Sequence, residues 1–259
     1  FDALKYNRKL LISPTASGKS LMIYTITRYM VDKGHSVLLV VPTTSLVEQM
    51  YKDFIDYGWN SDENCHRIYA GKEKHTDKPV TITTWQSIYK LERSFFKRYG
   101  CVIGDEAHLF KSKSLIRIMT KLHDAKYRFG FTGTLDGTQT HKWVLEGLFG
   151  PAYKIVRTDE LIEKGHLAKL NIKILLLKHE SQRFDTYKDE VQFIIQNEKR
   201  NNFIRKLTLD LKGNTLLLYS RVESHGEILF NLINSDTNRK VFFVHGGVAA
   251  EEREEIRKI

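Results

Sequence analysis

Short apolar runs alternate in the first part of the chain with longer segments whose apolar side chains recur at helical spacing. The short runs are rich in β-branched residues and predict buried strands, whereas the longer segments predict amphipathic helices. The predicted strands are residues 9–13, 37–41, 67–69, 80–84, 101–104 and 128–132. Predicted helices are residues 21–30, 46–57 and 88–99, the last two ending before Gly58 and Gly100. This alternation is typical of an α/β fold in which helices flank a parallel sheet.

A second domain is predicted beyond Gly150-Pro151, because both residues interrupt regular structure. A helix at 159–164, stopped by Gly165, leads into it. Its predicted elements are a strand at 172–177, helices up to about 211, a strand at 215–219, a helix at 222–233, a strand at 241–244 and a final helical run at 251–259. We therefore expect two domains, residues 1–160 and 161–259. Since three strands leave sheet edges uncovered, the second is expected to be incomplete.

Charge and composition narrow the possible partners. The net charge of +10, from 41 Lys and Arg against 31 Asp and Glu, favours a polyanion such as nucleic acid but does not by itself establish one. The apolar runs are far shorter than the ~20 residues of a membrane span, so no membrane association is expected. Cys65 and Cys101 have no zinc-site spacing and are expected to be reduced thiols in a cytoplasmic protein.

The first candidate for chemistry is the segment SPTASGKS at residues 13–20, between a predicted strand and a predicted helix. Such a loop surrounds phosphates with backbone N–H groups and a helix N-terminus, which predicts a nucleotide site. In that site Lys19 reaches the phosphates and Ser20 binds Mg²⁺. The loop itself consists of Pro14, Thr15, Ala16, Ser17 and Gly18. The alternative is a polar turn in which Ser17 or Ser20 caps a helix.

The second candidate is Asp105-Glu106-Ala107-His108, directly after the predicted strand 101–104. Carboxylates at the end of a parallel strand face the crevice where such sheets bind ligands. Asp105 is predicted to hold Mg²⁺, Glu106 to act as general base on water, and His108 to couple this site to its surroundings. The alternative is an acidic cap on an exposed helix.

The order of the motifs is more specific than any one of them. The loop is followed by PTTSLVEQM at 42–50, TTWQS at 83–87, the DEAH sequence and Thr132-Gly133-Thr134. This order resembles superfamily-two helicases, most closely the phage UvsW type of recombination and repair helicase. DELIEKGHL at 159–167, GNTLLLYSRVESHGEIL at 213–229 and VFFVHGGV at 241–248 extend the resemblance over nearly the whole chain.

The resemblance implies two RecA-like domains with ATP and Mg²⁺ between them and a nucleic-acid strand across both. Residues 132–134 would couple the nucleotide site to the next domain. The positions that match the family's strand-contacting motifs are Pro42, Thr43, Thr44, Thr83, Thr84, Gln86, Ser220, Arg221, His245 and Gly246. Hydroxyls and backbone amides can bind phosphates without contacting the bases, so such binding does not depend on base sequence. Each threonine could equally end a strand or cap a helix.

Three departures from the family pattern affect the expectations. Ser13 opens the loop where the family has Gly or Ala. The family's glutamine motif would precede residue 1, and its last arginine-bearing motifs would follow residue 259. Because an arginine finger contributes roughly 10³-fold or more in rate, we expect this chain alone to bind ATP but hydrolyse it weakly.

The function expected from the resemblance is an ATP-dependent DNA helicase or translocase. It would act as a monomer on single-stranded or branched DNA in recombination and repair, in the host cytoplasm if it is phage-encoded. An RNA helicase or a restriction-type motor subunit would share the same motifs. A non-motor module that binds or anneals nucleic acid, and a P-loop kinase acting on a small molecule, are the alternatives from other classes. Stimulation of ATP hydrolysis by nucleic acid would distinguish the motors from both.

Overall fold

A parallel β-sheet organises the first of two units into which internal contacts divide the chain, Phe1–Asn171 and Ile172–Ile259. The computed structural model describes residues 5–69, 71–135, 137–178, 182–257 and 259. The strands are β1 (Arg8–Ile12), β2 (Ser36–Val41), β3 (Cys65–Ile68), β4 (Val80–Thr84), β5 (Tyr99–Gly104), β6 (Tyr127–Thr132) and β7 (Ala152–Lys154). They lie in the order β3-β4-β2-β5-β6-β1-β7, and every neighbouring pair is parallel. The predicted α/β fold is therefore confirmed.

Helices connect these strands. In the first unit they are α1 (Lys19–Asp32), α2 (Thr44–Asp56), α3 (Ser61–Asn64), α4 (Trp85–Ile88), α5 (Arg93–Phe96), α6 (Lys113–Lys121), α7 (Gln139–Phe149) and α8 (Thr158–Glu163), with a 3₁₀ turn at Ala107–Lys111. The helices predicted at 21–30, 46–57 and 159–164 correspond to α1, α2 and α8. Every helix among the described residues is too short or too polar to cross a lipid bilayer.

The helix predicted at 88–99 is wrong. The chain there forms two short helices, α4 and α5, and Tyr99 and Gly100 already belong to β5. Tyr99 is 1% exposed, and its hydroxyl lies 2.8 Å from Thr81 Oγ1 in β4. This tertiary contact holds residue 99 in the sheet, whereas the local apolar spacing favoured a helix. The three-residue strand β7, which pairs with β1, was not predicted.

The sheet is buried on both faces, as its runs of apolar residues predict. In β2, Val37, Leu39 and Val41 point into one core with α1 and α2. The intervening Leu38 and Val40 point into the other, with α6 and α7. Because all strands are parallel, the segments that follow them emerge at one carboxyl edge. That edge carries the loop after β1 and the segments that begin at Pro42, Trp85, Asp105 and Gly133.

The second unit consists of helices and extended segments. Its helices are α9 (Tyr187–Gln196), α10 (Glu198–Asp210), α11 (Glu227–Asn234) and α12 (Ala250–Arg257), with a π-helical turn at Val222–Gly226 before α11. The helices predicted up to about residue 211 and at 222–233 are confirmed. The strands predicted at 172–177, 215–219 and 241–244 are wrong, because the described residues of this unit contain no strand.

The physical reason is that a strand requires backbone pairing with a neighbour, and these segments meet through side chains instead. The Tyr219 and Phe243 rings stack with centroids 5.3 Å apart, and the Tyr219 hydroxyl donates to the Val244 carbonyl at 2.7 Å. Leu216 and Leu218 are more than 80% exposed, so the alternating pattern is present without a sheet that would bury it.

Candidate nucleotide site

The loop between β1 and α1 is a tight turn that holds itself together. The Ser13 N–H donates to the Thr132 carbonyl at 2.8 Å, which fixes the start of the loop to β6. The Ser17 N–H and hydroxyl both donate to the Pro14 carbonyl, at 3.2 and 2.5 Å. Since the hydroxyl proton of Ser17 is used in this way, the buried Ser13 hydroxyl must be the donor in its bond to Ser17 Oγ. The Ser13 hydroxyl therefore stabilises the loop through its bond to Ser17, at the position where the family has a smaller residue.

The end of the loop has left-handed backbone geometry. Ala16 has φ of 64° and Gly18 has φ of 79°. A Cβ atom at position 18 would meet no other atom within 4 Å, so the glycine is required by its backbone angle rather than by space. The turn leads directly into α1 at Lys19 and leaves the first N–H groups of that helix at the carboxyl edge of the sheet.

Lys19 joins the loop to the DEAH sequence. Its Nζ lies 2.9 Å from Asp105 Oδ1 and 2.6 Å from Glu106 Oε1. Burial by itself would lower the pKa of Lys19, but the two carboxylates outweigh it and raise that pKa above its ordinary value. The residues that the sequence assigned to phosphate binding, to metal binding and to general base catalysis thus meet at one point.

Asp105 and Glu106 are positioned by the backbone at the end of β5. Asp105 is 4% exposed, and its N–H donates to the Val40 carbonyl of β2 at 2.9 Å. The Glu106 N–H donates to Asp105 Oδ1 at 2.9 Å, which holds that carboxylate in place. Glu106 itself has φ of 49°, an angle that non-glycine residues rarely adopt. Such strain is concentrated at functional sites, which agrees with a catalytic role for Glu106.

His108 connects the carboxylates to the Thr132-Gly133-Thr134 turn. Its Nδ1 lies 3.0 Å from Thr132 Oγ1 and 3.3 Å from Glu106 Oε2. The Thr132 hydroxyl donates to the Thr134 carbonyl at 2.8 Å, so its oxygen accepts a hydrogen bond from the Nδ1–H group of His108. A continuous series of contacts therefore runs from Lys19 through Glu106 and His108 to the end of β6.

The oxygen donors of the site suit Mg²⁺, which prefers carboxylate, hydroxyl and phosphate oxygens and usually keeps several waters. The described residues contain no group of three or more His, Cys, Asp or Glu that would hold a metal without such additional ligands. Asp105 and Ser20 fit a site completed by phosphate oxygens. Ser20 itself is half-buried in the first turn of α1.

The predicted strand-contacting residues of the first unit lie on two adjacent strand ends. Thr43 and Thr44 are exposed after β2, and Gln86 is exposed after β4. The Gln86 amide lies 3.5 Å from the Pro42 carbonyl, which brings the two segments together. The remaining two threonines, Thr83 and Thr84, are buried, and their hydroxyls bond the Thr84 carbonyl and Ser87 Oγ. As placed, these two support the edge rather than present hydroxyls to a ligand.

The predicted residues of the second unit lie at the ends of its two extended segments. Ser220 and Arg221 follow the segment at 215–219, and His245 and Gly246 follow the segment at 241–244. Stacking of Tyr219 on Phe243 places these ends side by side. Ser220, His245 and Gly246 line one cavity of about 660 Å³ within this unit. Ser220 and Gly246 are exposed at its rim.

The loop after β1 and the DEAH sequence meet at the carboxyl edge of a parallel sheet, an arrangement typical of the nucleotide-binding core of superfamily-two helicases. Comparison with known proteins agrees with that class. Residues 3–137 match the family described as type III restriction enzyme, res subunit. This match covers more than half of the chain, and the chain belongs to that family.

Individual relatives extend the similarity. The chain is 33% identical over 266 aligned residues to the ATP-dependent DNA helicase uvsW of Enterobacteria phage T4, covering 98% of this chain and 53% of that protein. The chain thus spans about half the length of the curated relative. A crystal structure of bacteriophage T4 UvsW matches 97% of this chain and 51% of its own, at 29% identity and a TM-score of 0.53. A second T4 UvsW structure matches 57% of this chain and 54% of its own, at 34% identity and the same TM-score.

A more distant structure supports the fold alone. The Pyrococcus furiosus Hef helicase domain matches 91% of this chain and 52% of its own, at 17% identity and a TM-score of 0.53. The 33% identity to uvsW over 98% of this chain confirms the resemblance to UvsW-type helicases drawn from the motifs, and family membership implies the use of a nucleotide.

Two features of the site were not predicted from the sequence. The left-handed backbone of Glu106 could not be predicted from its residue type, because glutamate rarely adopts such an angle. The bond between Ser13 and Ser17 was visible only as a departure of Ser13 from the usual glycine.

Proposed function

We propose that this chain is the ATP-hydrolysing part of a DNA helicase or translocase. The observation that carries the proposal is the contact of Lys19 with both Asp105 and Glu106, at 2.9 and 2.6 Å. It brings a phosphate-binding loop and a pair of carboxylates together at the edge where parallel sheets bind ligands. The related phage protein is described as an ATP-dependent DNA helicase, which favours DNA as the track.

The chemistry follows from the residues present. The loop N–H groups, the start of α1 and Lys19 would bind the phosphates of ATP. Ser20 and Asp105 would hold Mg²⁺, which neutralises phosphate charge when bound. Phosphate oxygens and Glu106 compete for the same Lys19 ammonium group, so nucleotide binding releases Glu106 to accept a proton from the attacking water.

The contacts of His108 and Thr132 support a coupling role for residues 132–134. A shift of Glu106 on nucleotide binding would change the position of His108, whose Nδ1 also bonds the Thr132 hydroxyl. At the same edge of the sheet, exposed polar groups of Thr43, Thr44 and Gln86 are available to a nucleic-acid backbone, and the half-buried Pro42 lies beside them. We assign Ser220, Arg221, His245 and Gly246 the same role in the second unit.

We also propose the form of the DNA, the cellular context and the oligomeric state. Single-stranded or branched DNA is the expected partner, recombination and repair the expected context, and a monomer the expected state. RNA remains the alternative track, since backbone-contacting groups do not distinguish the two by themselves. The matching family is described as type III restriction enzyme, res subunit, so a motor subunit of a restriction-type complex is an alternative.

The test is ATP hydrolysis with single-stranded DNA, branched DNA or RNA, and without nucleic acid. It is performed on the chain and on a longer form that includes the segments present in its relatives. We expect DNA to stimulate the rate, and Lys19→Ala or Glu106→Gln to lower it by about 10²-fold or more, as loss of a charge-stabilising or proton-accepting group does.

The controls separate the alternatives. Lys121→Ala removes a lysine whose Nζ binds the Tyr89 and Leu91 carbonyls rather than the nucleotide site, and its rate should match that of the wild type. Stimulation by RNA alone would replace DNA with RNA as the track. Binding of nucleic acid without any stimulated hydrolysis in the longer form would contradict the motor and favour a passive binding module.

A further inference from the structure

The amino edge of the sheet, opposite the nucleotide site, is rich in basic residues. The chain enters the neighbouring strands β5, β6 and β1 at this edge, through residues 93–98, 123–128 and 5–8. These segments contain a single carboxylate, Asp124. Their Lys and Arg residues are Lys5, Arg8, Arg93, Lys97, Arg98, Lys126 and Arg128. Since the whole chain has 41 Lys and Arg against 31 Asp and Glu, positive charge is concentrated here.

Four exposed cations define what we call the amino-edge surface: Arg8, Lys97, Arg98 and Lys126. They come from three strands that are consecutive in the sheet. Neighbouring strands lie about 4.8 Å apart, so the starts of β5, β6 and β1 span about 10 Å. A DNA duplex carries about one negative charge per 1.7 Å of its axis. The surface therefore matches a length of duplex that carries several phosphates.

Neutral groups rather than carboxylates hold these cations. Arg98 donates to the Lys78 carbonyl at 2.9 Å, and its Cζ lies 5.5 Å from the centre of the Tyr99 ring. Lys126 Nζ lies 5.4 Å from the centre of the Tyr127 ring. Among the described residues, no carboxylate lies within ion-pair distance of the amino-edge surface. Its charge is thus available to a partner.

The carboxylates close to this surface already have other partners. Asp124 Oδ1 lies 2.8 Å from His123 Nε2. Glu146 belongs to α7, which ends at Gly150, where a Cβ atom would lie 2.7 Å from the Arg8 carbonyl. The Glu146 carboxylate accepts from the Ala152 N–H at 3.0 Å and lies 3.9 Å from Lys142 Nζ. Neither acid therefore neutralises the amino-edge surface.

Two arginines lie directly opposite each other at this edge. Arg8 of β1 pairs in register with Arg128 of β6, and such like-charge pairs across strands are destabilising. Arg128 is 7% exposed and donates to the Leu122 and Ala125 carbonyls at 2.9 and 3.2 Å. Burial, and next the Arg8 charge, lower the pKa of Arg128 below its ordinary value. A bound anion would relieve this repulsion.

The position of the surface separates it from the predicted path of a single strand. The predicted strand-contacting residues of the first unit follow β2 and β4 at the carboxyl edge. Strands β5 and β6 have six residues each, so the two edges lie about 20 Å apart. A single strand on the carboxyl edge leaves the amino edge uncovered. Branched DNA has a further arm that can reach it.

We propose that the amino-edge surface binds the phosphate backbone of a duplex arm of branched DNA, while the carboxyl edge binds a single strand. This inference rests on the proposed function and adds a second interface to it. Lys and Arg neutralise phosphates without contacting bases, so binding at this surface does not depend on base sequence. The second interface would let the chain prefer branched DNA over a single strand.

The experiment measures binding of three fluorescent DNAs to the full chain: a short single strand, a duplex and a fork that combines both. The edge variant carries Lys97→Ala, Arg98→Ala and Lys126→Ala together. At about 0.1 M salt we expect it to bind the duplex and the fork about 10- to 100-fold more weakly than the wild type does. The slope of log K against log salt should become less steep by about 2 to 3. Affinity for the single strand should not change.

A matched variant separates the surface from the overall charge of the chain. Lys52→Ala, Lys164→Ala and Lys169→Ala together remove the same charge from exposed positions outside the three basic segments, and should leave all three affinities unchanged. ATP hydrolysis without DNA should be the same in every variant. Thermal unfolding is measured in parallel. If the edge variant does not fold, Lys97→Ala with Lys126→Ala serves as the test, because it keeps the bond of Arg98 to Lys78.

The outcomes separate this inference from the proposed function. If the wild type binds none of the three DNAs, the proposed function is overturned. If the wild type binds the fork and the edge variant binds it equally well, only the amino-edge surface is overturned. Equal weakening in the matched variant would overturn the surface in favour of overall charge. Equal weakening for the single strand and the fork would overturn its assignment to a duplex arm.

Discussion

At the scale of single residues, the nucleotide site combines strained backbone with close packing. Ala16, Gly18 and Glu106 all have left-handed backbone angles. The first two lie in the loop after β1, and Glu106 lies in the DEAH sequence. For a residue other than glycine, such a backbone angle costs about 1–3 kcal/mol of folding free energy. The surrounding β5 and β6 strands must therefore fix these segments firmly, and their own packing is correspondingly tight.

Gly104, the residue before Asp105, offers a test of that tightness. A Cβ atom there would lie 2.7 Å from Phe110 Cζ and 2.9 Å from Phe149 Cζ, in the core beneath the site. We expect Gly104→Ala to lower the free energy of unfolding by about 1–3 kcal/mol, because both rings would have to move. Thermal or denaturant unfolding measures the change.

Gly147 provides the matched control. It lies inside α7, and a Cβ atom there meets nothing within 4 Å. Gly147→Ala should be neutral or stabilise by up to about 1 kcal/mol, since alanine favours helix. If Gly104→Ala were as stable as Gly147→Ala, the core beneath Asp105 would be looser than the structure indicates.

At the scale of elements, a polar contact joins α10 to the turn that precedes α11 in the second unit. The π-helical turn at Val222–Gly226 places His225 against α10, where it is 7% exposed. Its Nε2 lies 3.0 Å from Arg200 Nη1. Because arginine can only donate, His225 must accept at Nε2 and is neutral in this contact.

This contact predicts a dependence of stability on pH. Burial, and next the Arg200 charge, lower the pKa of His225 below its ordinary value of 6.5. The contribution of His225 to stability is therefore full above pH 6.5 and is lost as the pH falls through the lowered pKa. We expect the melting temperature of the wild type to fall below pH 6.5 by about 2–4 °C for each ~1 kcal/mol of lost interaction.

The variant His225→Gln isolates this effect. Glutamine keeps an acceptor for Arg200 but does not titrate, so its melting temperature should change less between pH 7 and pH 5 than that of the wild type. Melting curves of both proteins over this range give the difference directly. Equal pH dependence in the two proteins would show that other groups cause the loss of stability.

At the scale of the whole molecule, charge and topology together define how a polyanion would be bound. The chain carries a net charge of +10, and exposed polar groups that suit a phosphate backbone follow β2 and β4. We expect affinity for single-stranded DNA to fall with salt, with a slope of log K against log salt of about −3 if about four phosphates are neutralised.

Binding to labelled oligonucleotides at several salt concentrations measures this slope. Oligonucleotides of different sequence but equal length should give similar slopes and affinities, because backbone contacts carry no base information. Affinity independent of salt would contradict a phosphate-based interface. A strong preference for one sequence would indicate base contacts and contradict an interface made to the backbone alone.

The sequence by itself determined six of the seven strands of the first unit's sheet and predicted the residues of its candidate site. Continuous β-branched runs such as 37–41 and 80–84 allow little except buried parallel strands, and these were predicted to within a few residues. The P-loop and the DEAH sequence are local signals, since their chemistry requires particular residue types at fixed spacing directly after a strand. Parallel strands then bring the motifs to one edge.

Only the tertiary structure decided the features that depend on contacts between distant segments. Residues 88–99 have helical spacing, but the contact of Tyr99 with Thr81 makes position 99 part of a strand. The exposed segments of the second unit alternate like strands, yet a strand exists only where a neighbour supplies hydrogen bonds.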